Sequence, residues 1–205
     1  MRKSYVVALA LALCGVSGAR AQMGGGMAAG TASVAPGSPV DPAKSLDATL
    51  SRVEALWTGA AGAMPADKYS FKPTAAIFAP GQGEKYDGVR SFAEIATHMI
   101  QVNYSVFSAI GGIKPDIDPK TIGTLSSKDD IVKAVSATFA FAHKALANVT
   151  TQNAFSSVRG MQTPVSMFAG GIGHAEDEYG QAVEYLRMNG VIPPASETPT
   201  PARPK

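Results

Sequence analysis

The stretch GIGHAEDEYGQ, residues 171 to 181, sets His174 and Glu178 four positions apart, with Glu176 and Asp177 between them. An imidazole nitrogen and a carboxylate oxygen are ligand types for Zn²⁺, Fe²⁺, Mn²⁺ and Ni²⁺. On a helix turning about 100° per residue the two side chains lie within about 40° of each other, at the edge of the apolar stripe. Asp177 points away from that stripe and reads, with Glu176, as a solvated charge. A second histidine, His98, lies about 80° from the centre of another apolar stripe, again at a flank. Two imidazoles and one carboxylate can therefore converge between two helices. The same spacing serves equally well as a surface hydrogen bond between positions i and i+4, so spacing by itself leaves a metal centre and a polar face both open. The third histidine, His143, lies at the flank of a further stripe, where a lone histidine is structural.

The elements that must position these groups are helical. Four segments carry apolar residues at alternating spacings of three and four, and none carries a run of strand alternation. The first opens with Asp41 as N-cap and Pro42 at the first helical position, and carries Leu46, Leu50, Val53 and Trp57. The second opens with the capping-box pattern Ser91-x-x-Glu94, carries Phe92, Ile95, Met99, Val102 and Val106, and stops at Gly111-Gly112. The third runs from about Ser127 to Val149. The fourth opens at Thr163-Pro164, carries Phe168, Ile172, Ala175, Tyr179, Ala182 and Leu186, and closes at Asn189-Gly190. Four such stripes predict an all-α fold, a four-helix bundle, with Leu50, Trp57, Met99, Val106, Val135, Leu146, Tyr179 and Leu186 in its core. Tyr69 and Phe71, in the long connection before the second helix, are expected to cap that core. Lys114 to Ser126 can stretch to about 40 Å, long enough to cross over along a bundle. Gly170, Gly171 and Gly173 cost about 1 kcal/mol each relative to Ala in the fourth helix, so something must compensate. Either the helices approach closely there, or Gly171 leaves an empty volume over the metal for a substrate.

The amino end has a basic start at Arg2 and Lys3, an apolar run from Tyr5 to Cys14 and the small-x-small site Ala19-Arg20-Ala21, the order of a cleavable secretory signal over residues 1–21. The run is too short for a transmembrane helix, and the bulky Leu13 before Cys14 argues against a lipoprotein site. Cleavage removes three cations and no acid, taking the formal charge from +2 to −1. It also removes Cys14, the single cysteine, so the mature chain has neither a disulfide nor a thiol nucleophile. With no basic run interleaved with aromatics, nucleic acid is excluded as a partner. Residues 22–40 are small, Gly-rich and uncharged, and read as a flexible linker. Residues 193–205 read as a disordered Pro-rich tail, leaving one folded domain over 41–192. An exported chain of this kind is periplasmic or secreted.

Three stretches carry a family resemblance: MPADKYSFKPT before the second helix, VRSFAEIATHMIQVNYSVFSA within it, and HAEDEYGQAVEYLRMNGVIPPAS at the end. Over Leu46 to Ser196 the chain resembles the exported branch of the DinB/YfiT-like metalloenzyme superfamily. The resemblance implies a four-helix bundle in up-down-down-up order. It also implies a metal site with one histidine from the second helix and a His-x-x-x-His pair from the fourth. His98 and His174 fall on those positions, and Glu178 falls where the family has its third histidine. Three histidines suit Zn²⁺ or Ni²⁺, whereas two histidines and a carboxylate favour Fe²⁺, Mn²⁺ or Zn²⁺.

The function this implies is a metal-dependent hydrolase acting on a small molecule through a metal-activated water. No general base accompanies the ligands, and His143 or Tyr185 would have to serve. A non-catalytic periplasmic binding or structural bundle with a degenerate metal site, and a thiol-dependent S-transferase, are the alternatives. A homodimer is compatible with each.

Overall fold

A computed structural model describes residues 34–77, 79–81 and 85–197. Residues 1–21, expected from the sequence to be a secretory signal, and most of the expected linker lie outside the described residues. The described chain is all-helical: α1 (Pro42–Ala63), α2 (Phe92–Gly111), the one-turn α3 (Pro119–Ile122), α4 (Lys128–Leu146) and α5 (Pro164–Met188), with three short 3₁₀ turns and no strand. One isolated bridge, Arg159 to Gln162, is its nearest approach to β structure.

The helix starts follow from local chemistry. The Asp41 side chain accepts from the Lys44 amide ahead of Pro42, satisfying a donor that the first turn would otherwise orphan. Ser91 and Glu94 close the full reciprocal capping box. Thr163 forms a second such box with Ser166. At the other ends, Gly112 and Gly190 take positive φ of 63° and 74°, the left-handed stop that a side chain resists. α3 occupies the connection that its length would also allow to run extended.

α1 and α2 each pack against both α4 and α5, around a single core. Pairwise contacts set the directions. Asp47 meets His143 while Lys128 donates to the Gly62 and Met64 carbonyls, so α1 and α4 are antiparallel. Arg52 meets Glu176 and Gly59 meets Pro194, so α1 and α5 run the same way. Tyr185 donates to the Arg90 carbonyl and Phe107 stacks edge-on against Phe168, so α2 and α5 are antiparallel. The core is aromatic-rich, with Trp57, Tyr69, Phe92, Tyr104, Phe107 and Phe139 fully buried, and each large apolar side chain contributes about 1.5–3 kcal/mol by leaving water.

Six of the eight expected core residues are fully buried, and Val106 and Tyr179 are half-buried against the core. The buried face of α2 is turned from the expected stripe toward Asn103, Tyr104 and Phe107, leaving Val102 and Val106 at its edge. Tyr69 does cap the core, donating to the Ala61 carbonyl at 2.6 Å and stacking on Phe92, while Phe71 stacks on Tyr185. The start of the tail differs from a disordered segment. Pro193 is buried, Pro194–Ser196 form a 3₁₀ turn, and Pro194 lies against Gly59 of α1.

Candidate metal centre

His98 projects from α2 and His174 and Glu178 from α5, across the seam where those helices run antiparallel. The two Nε2 atoms are 3.3 Å apart, and Glu178 Oε1 lies 3.8 Å from His98 Nε2 and 3.7 Å from His174 Nε2. Among the described residues, this trio offers one ligand atom each, close enough to hold a metal ion. The point equidistant from the three atoms lies about 2.1 Å from each, within the range of Zn–N and Zn–O bonds.

The surroundings fit a cation. Glu178 is only 4% exposed, and its Oε2 has no hydrogen-bond partner. A buried carboxylate oxygen with no partner is costly, and a bound cation is one way to remove the cost, protonation being the other. Burial pushes the Glu178 carboxyl up, against the opposing pull of His174 and Arg90 and with a small push from Asp177. Burial also pulls the His98 imidazole down, and the Arg90 and His174 charges pull it further. A depressed imidazole is neutral at neutral pH, the form that donates a lone pair. The rings keep 32% and 28% side-chain exposure, so solvent reaches both imidazoles.

α1 fixes the rotation of α5 that aims His174 and Glu178 at α2. Trp57 Nε1 donates to the Ala175 carbonyl at 2.9 Å, its ring meets Tyr179 edge-on, and Arg52 pairs with Glu176. Glu176 is thus half of an ion pair and not simply a solvated charge. Asp177 does face water, accepting a hydrogen bond from Gln181 of its own helix.

Neither expected base is free to serve. His143 lies on the α1–α4 seam, with Nδ1 at 2.5 Å from Asp47 and Nε2 at 3.0 Å from Glu54, both ring nitrogens occupied. Tyr185 is near the centre, but its hydroxyl donates to the Arg90 carbonyl at 3.0 Å, and burial first, then the Glu178 and Glu94 charges, push its pKa up. Gly171 borders, with Val106, a cavity further along the α2–α5 seam, but it is there for packing as well as for space. A Cβ there would lie 2.9 Å from Val106 Cγ1, so the glycine serves close approach of α5 to α2.

Arg90 is the neighbour that sequence reasoning missed. Its Nη1 is 3.7 Å from Glu178 Oε1, and it sits just before the α2 cap, where no periodic signal marks it. No known family profile matches the chain, and no curated protein matches it.

Proposed function

We propose that His98, His174 and Glu178 hold one divalent metal ion, and that the chain is an exported, DinB-like helical protein acting as a metal-dependent hydrolase. The observation that carries this reading is the convergence of three ligand atoms on one point, one of them from a carboxylate buried without a partner for its second oxygen. The pairwise helix directions support an up-down-down-up order, and the ligands come from the two helices the resemblance implies. The basic, apolar and Ala-Arg-Ala order of residues 1–21 supports export.

A divalent ion held there would lower the pKa of a water and polarise a carbonyl or ester oxygen. The protein's own groups supply the rest. Glu178 brings the negative charge that offsets a dication in a buried position, and His98 stays neutral and available. Arg90 sets a positive charge beside the centre, where negative charge gathers on a carbonyl oxygen during hydrolysis. The Tyr185 hydroxyl, bound to the Arg90 carbonyl, steadies that segment.

Elemental analysis and titration calorimetry of the mature protein test the reading. One ion per chain is expected, lost in His98→Ala and His174→Ala, intact in Asp177→Asn, and retained or tightened for Zn²⁺ or Ni²⁺ in Glu178→His. Hydrolysis of aryl esters by the loaded protein should stop on adding chelator. One observation favours a non-catalytic bundle instead: at 3.3 Å the two imidazoles can hydrogen-bond each other without an ion. Wild-type protein that takes up no divalent metal at micromolar concentrations, beside a Glu178→His variant that does, would establish that reading.

A further inference from the structure

The α2–α5 seam does not end at the histidines. Ser105 lies seven residues beyond His98 and Met167 seven before His174, so at 100° per residue each returns to within about 20° of the histidine on its own helix. They are two turns, about 10 Å, further along the seam. A cavity of about 470 Å³ opens there, a volume typical of small-molecule sites. Its lining includes Ser105, Ala109, Met167 and Gly170, small or flexible side chains that leave the space empty, and Gly170 is about one turn before His174. A Cβ at Gly170 would meet nothing within 4 Å, unlike one at Gly171, which would meet Val106.

The connection between α4 and α5 borders the far end. Arg159 and Gln162 line the cavity, held together by the bridge between them, with Arg159 Nε and Nη2 donating to Gln162 Oε1 at 3.2 and 3.0 Å. Gln162 thereby fixes one edge of the guanidinium. The Nη1–Nη2 edge is left over, and no acidic side chain pairs with it among the described residues. One guanidinium edge matches one carboxylate in two parallel hydrogen bonds. Among the described residues, Arg159 is the only charged group in the cavity wall.

We propose that this groove is the substrate site of the metal centre, and that it selects small esters or amides carrying a carboxylate at the end remote from the bond to be cleaved. The carboxylate sits on Arg159, the chain lies over Ala109, Met167 and Gly170, and the acyl group reaches His174. Hydrolysis of such an ester consumes one water: its oxygen joins the acyl carbon, the carbon–oxygen bond breaks, and the leaving alcohol takes a proton. No other reactant is needed. The proposal rests on the metal reading for its chemistry, and on the groove alone for its selectivity.

Two measurements keep those parts separate. In metal-free mature protein, octanoate should shift the backbone amide resonances of Ser105 and Gly170 and bind at least tenfold more weakly to Arg159→Gln. Octyl phosphate should bind no more tightly than octanoate. In zinc-loaded protein, suberic acid monohydroxamate should bind at least tenfold more tightly than octanohydroxamate, which lacks the remote carboxylate. Arg159→Gln should erase that difference without changing zinc uptake, and Gly170→Leu should weaken both probes by filling the groove. Octanoate binding that ignores Arg159, or tighter binding of octyl phosphate, overturns the proposal whatever the metal does. Absent zinc uptake with Arg159-dependent octanoate binding would instead overturn the metal reading and leave the anion groove standing.

Discussion

Two clusters in this protein use the same residue types to opposite ends. On the α2–α5 seam, His98, His174 and Glu178 point three ligand atoms at one place. On the α1–α4 seam, His143 stands between Asp47 and Glu54, one carboxylate at each ring nitrogen. The imidazole nitrogens point away from each other, so the two carboxylates that satisfy them are held on opposite sides of the ring and cannot share an ion with it. The first cluster is short of partners and its carboxylate is buried, while the second is saturated and its carboxylates are largely exposed. Composition near a histidine therefore says less than whether the lone pairs converge.

The sharpest way to break this contrast is to remove one imidazole from each cluster. His174→Ala should weaken zinc affinity by at least about 100-fold, whereas His143→Ala should leave it unchanged, as read by titration calorimetry. Equal losses would mean that the two clusters do not differ as described.

Acid should separate them next. Burial holds His98 below its ordinary pKa, so its ring stays neutral and ligating through neutral pH, and metal affinity is lost as pH falls through that depressed value. A decline of about tenfold or more per pH unit in the acid range is expected in titrations run from pH 8 to 5.

Glu178→Gln probes the unpartnered carboxylate. Because burial raises the folded-state pKa of Glu178, its ionised form opposes folding above that value, and the opposition vanishes below the ordinary carboxylate range. The metal-free Gln variant should therefore melt about 2–4 °C higher at neutral pH and gain nothing in acid, while binding metal more weakly. A lower melting temperature at neutral pH would show that Glu178 is satisfied without an ion.

The smallest effect belongs to His143. Burial pulls its pKa down, but the Asp47 and Glu54 carboxylates together outweigh burial and hold it above the ordinary value. A raised histidine contributes stability that is fully present below the unfolded pKa and lost as pH rises through the folded one. His143→Gln should lower the melting temperature by about 2 °C at pH 5.5 and by less at pH 8.5, in keeping with the partial exposure of the pair.

The parts legible in advance are those governed by neighbours in the chain. Asp41, Ser91 and Thr163 cap their helices because a side-chain oxygen reaches an amide two or three residues away, and Gly112 and Gly190 stop them because only the local backbone matters. His174 and Glu178 share a helix edge for the same reason. The facing histidine was reachable too, since His98 sits at a stripe flank. Arg90 and Arg159 carried no signal, because each becomes relevant through a partner on another segment: Glu178 for the first, Gln162 and the α2–α5 groove for the second.

Local periodicity and capping by themselves determined an all-α chain with four long helices, their starts and stops, and the edge on which His174 and Glu178 lie. Only tertiary structure decided how far each helix is rotated about its own axis. Trp57, Arg52 and the Gly171–Val106 contact turn α5 so that Glu178 is buried and Tyr179 only half-buried, and the buried face of α2 shifts toward Phe107. It also decided that His143 is clamped by two carboxylates of α1 and that a Cβ at Gly171 would meet Val106 while one at Gly170 would meet nothing. The physical reason is that a hydrogen bond within one turn is set by backbone geometry, which the chain carries everywhere. Rotation and lone-pair convergence depend on the volumes and contacts of neighbouring helices, which no single segment contains.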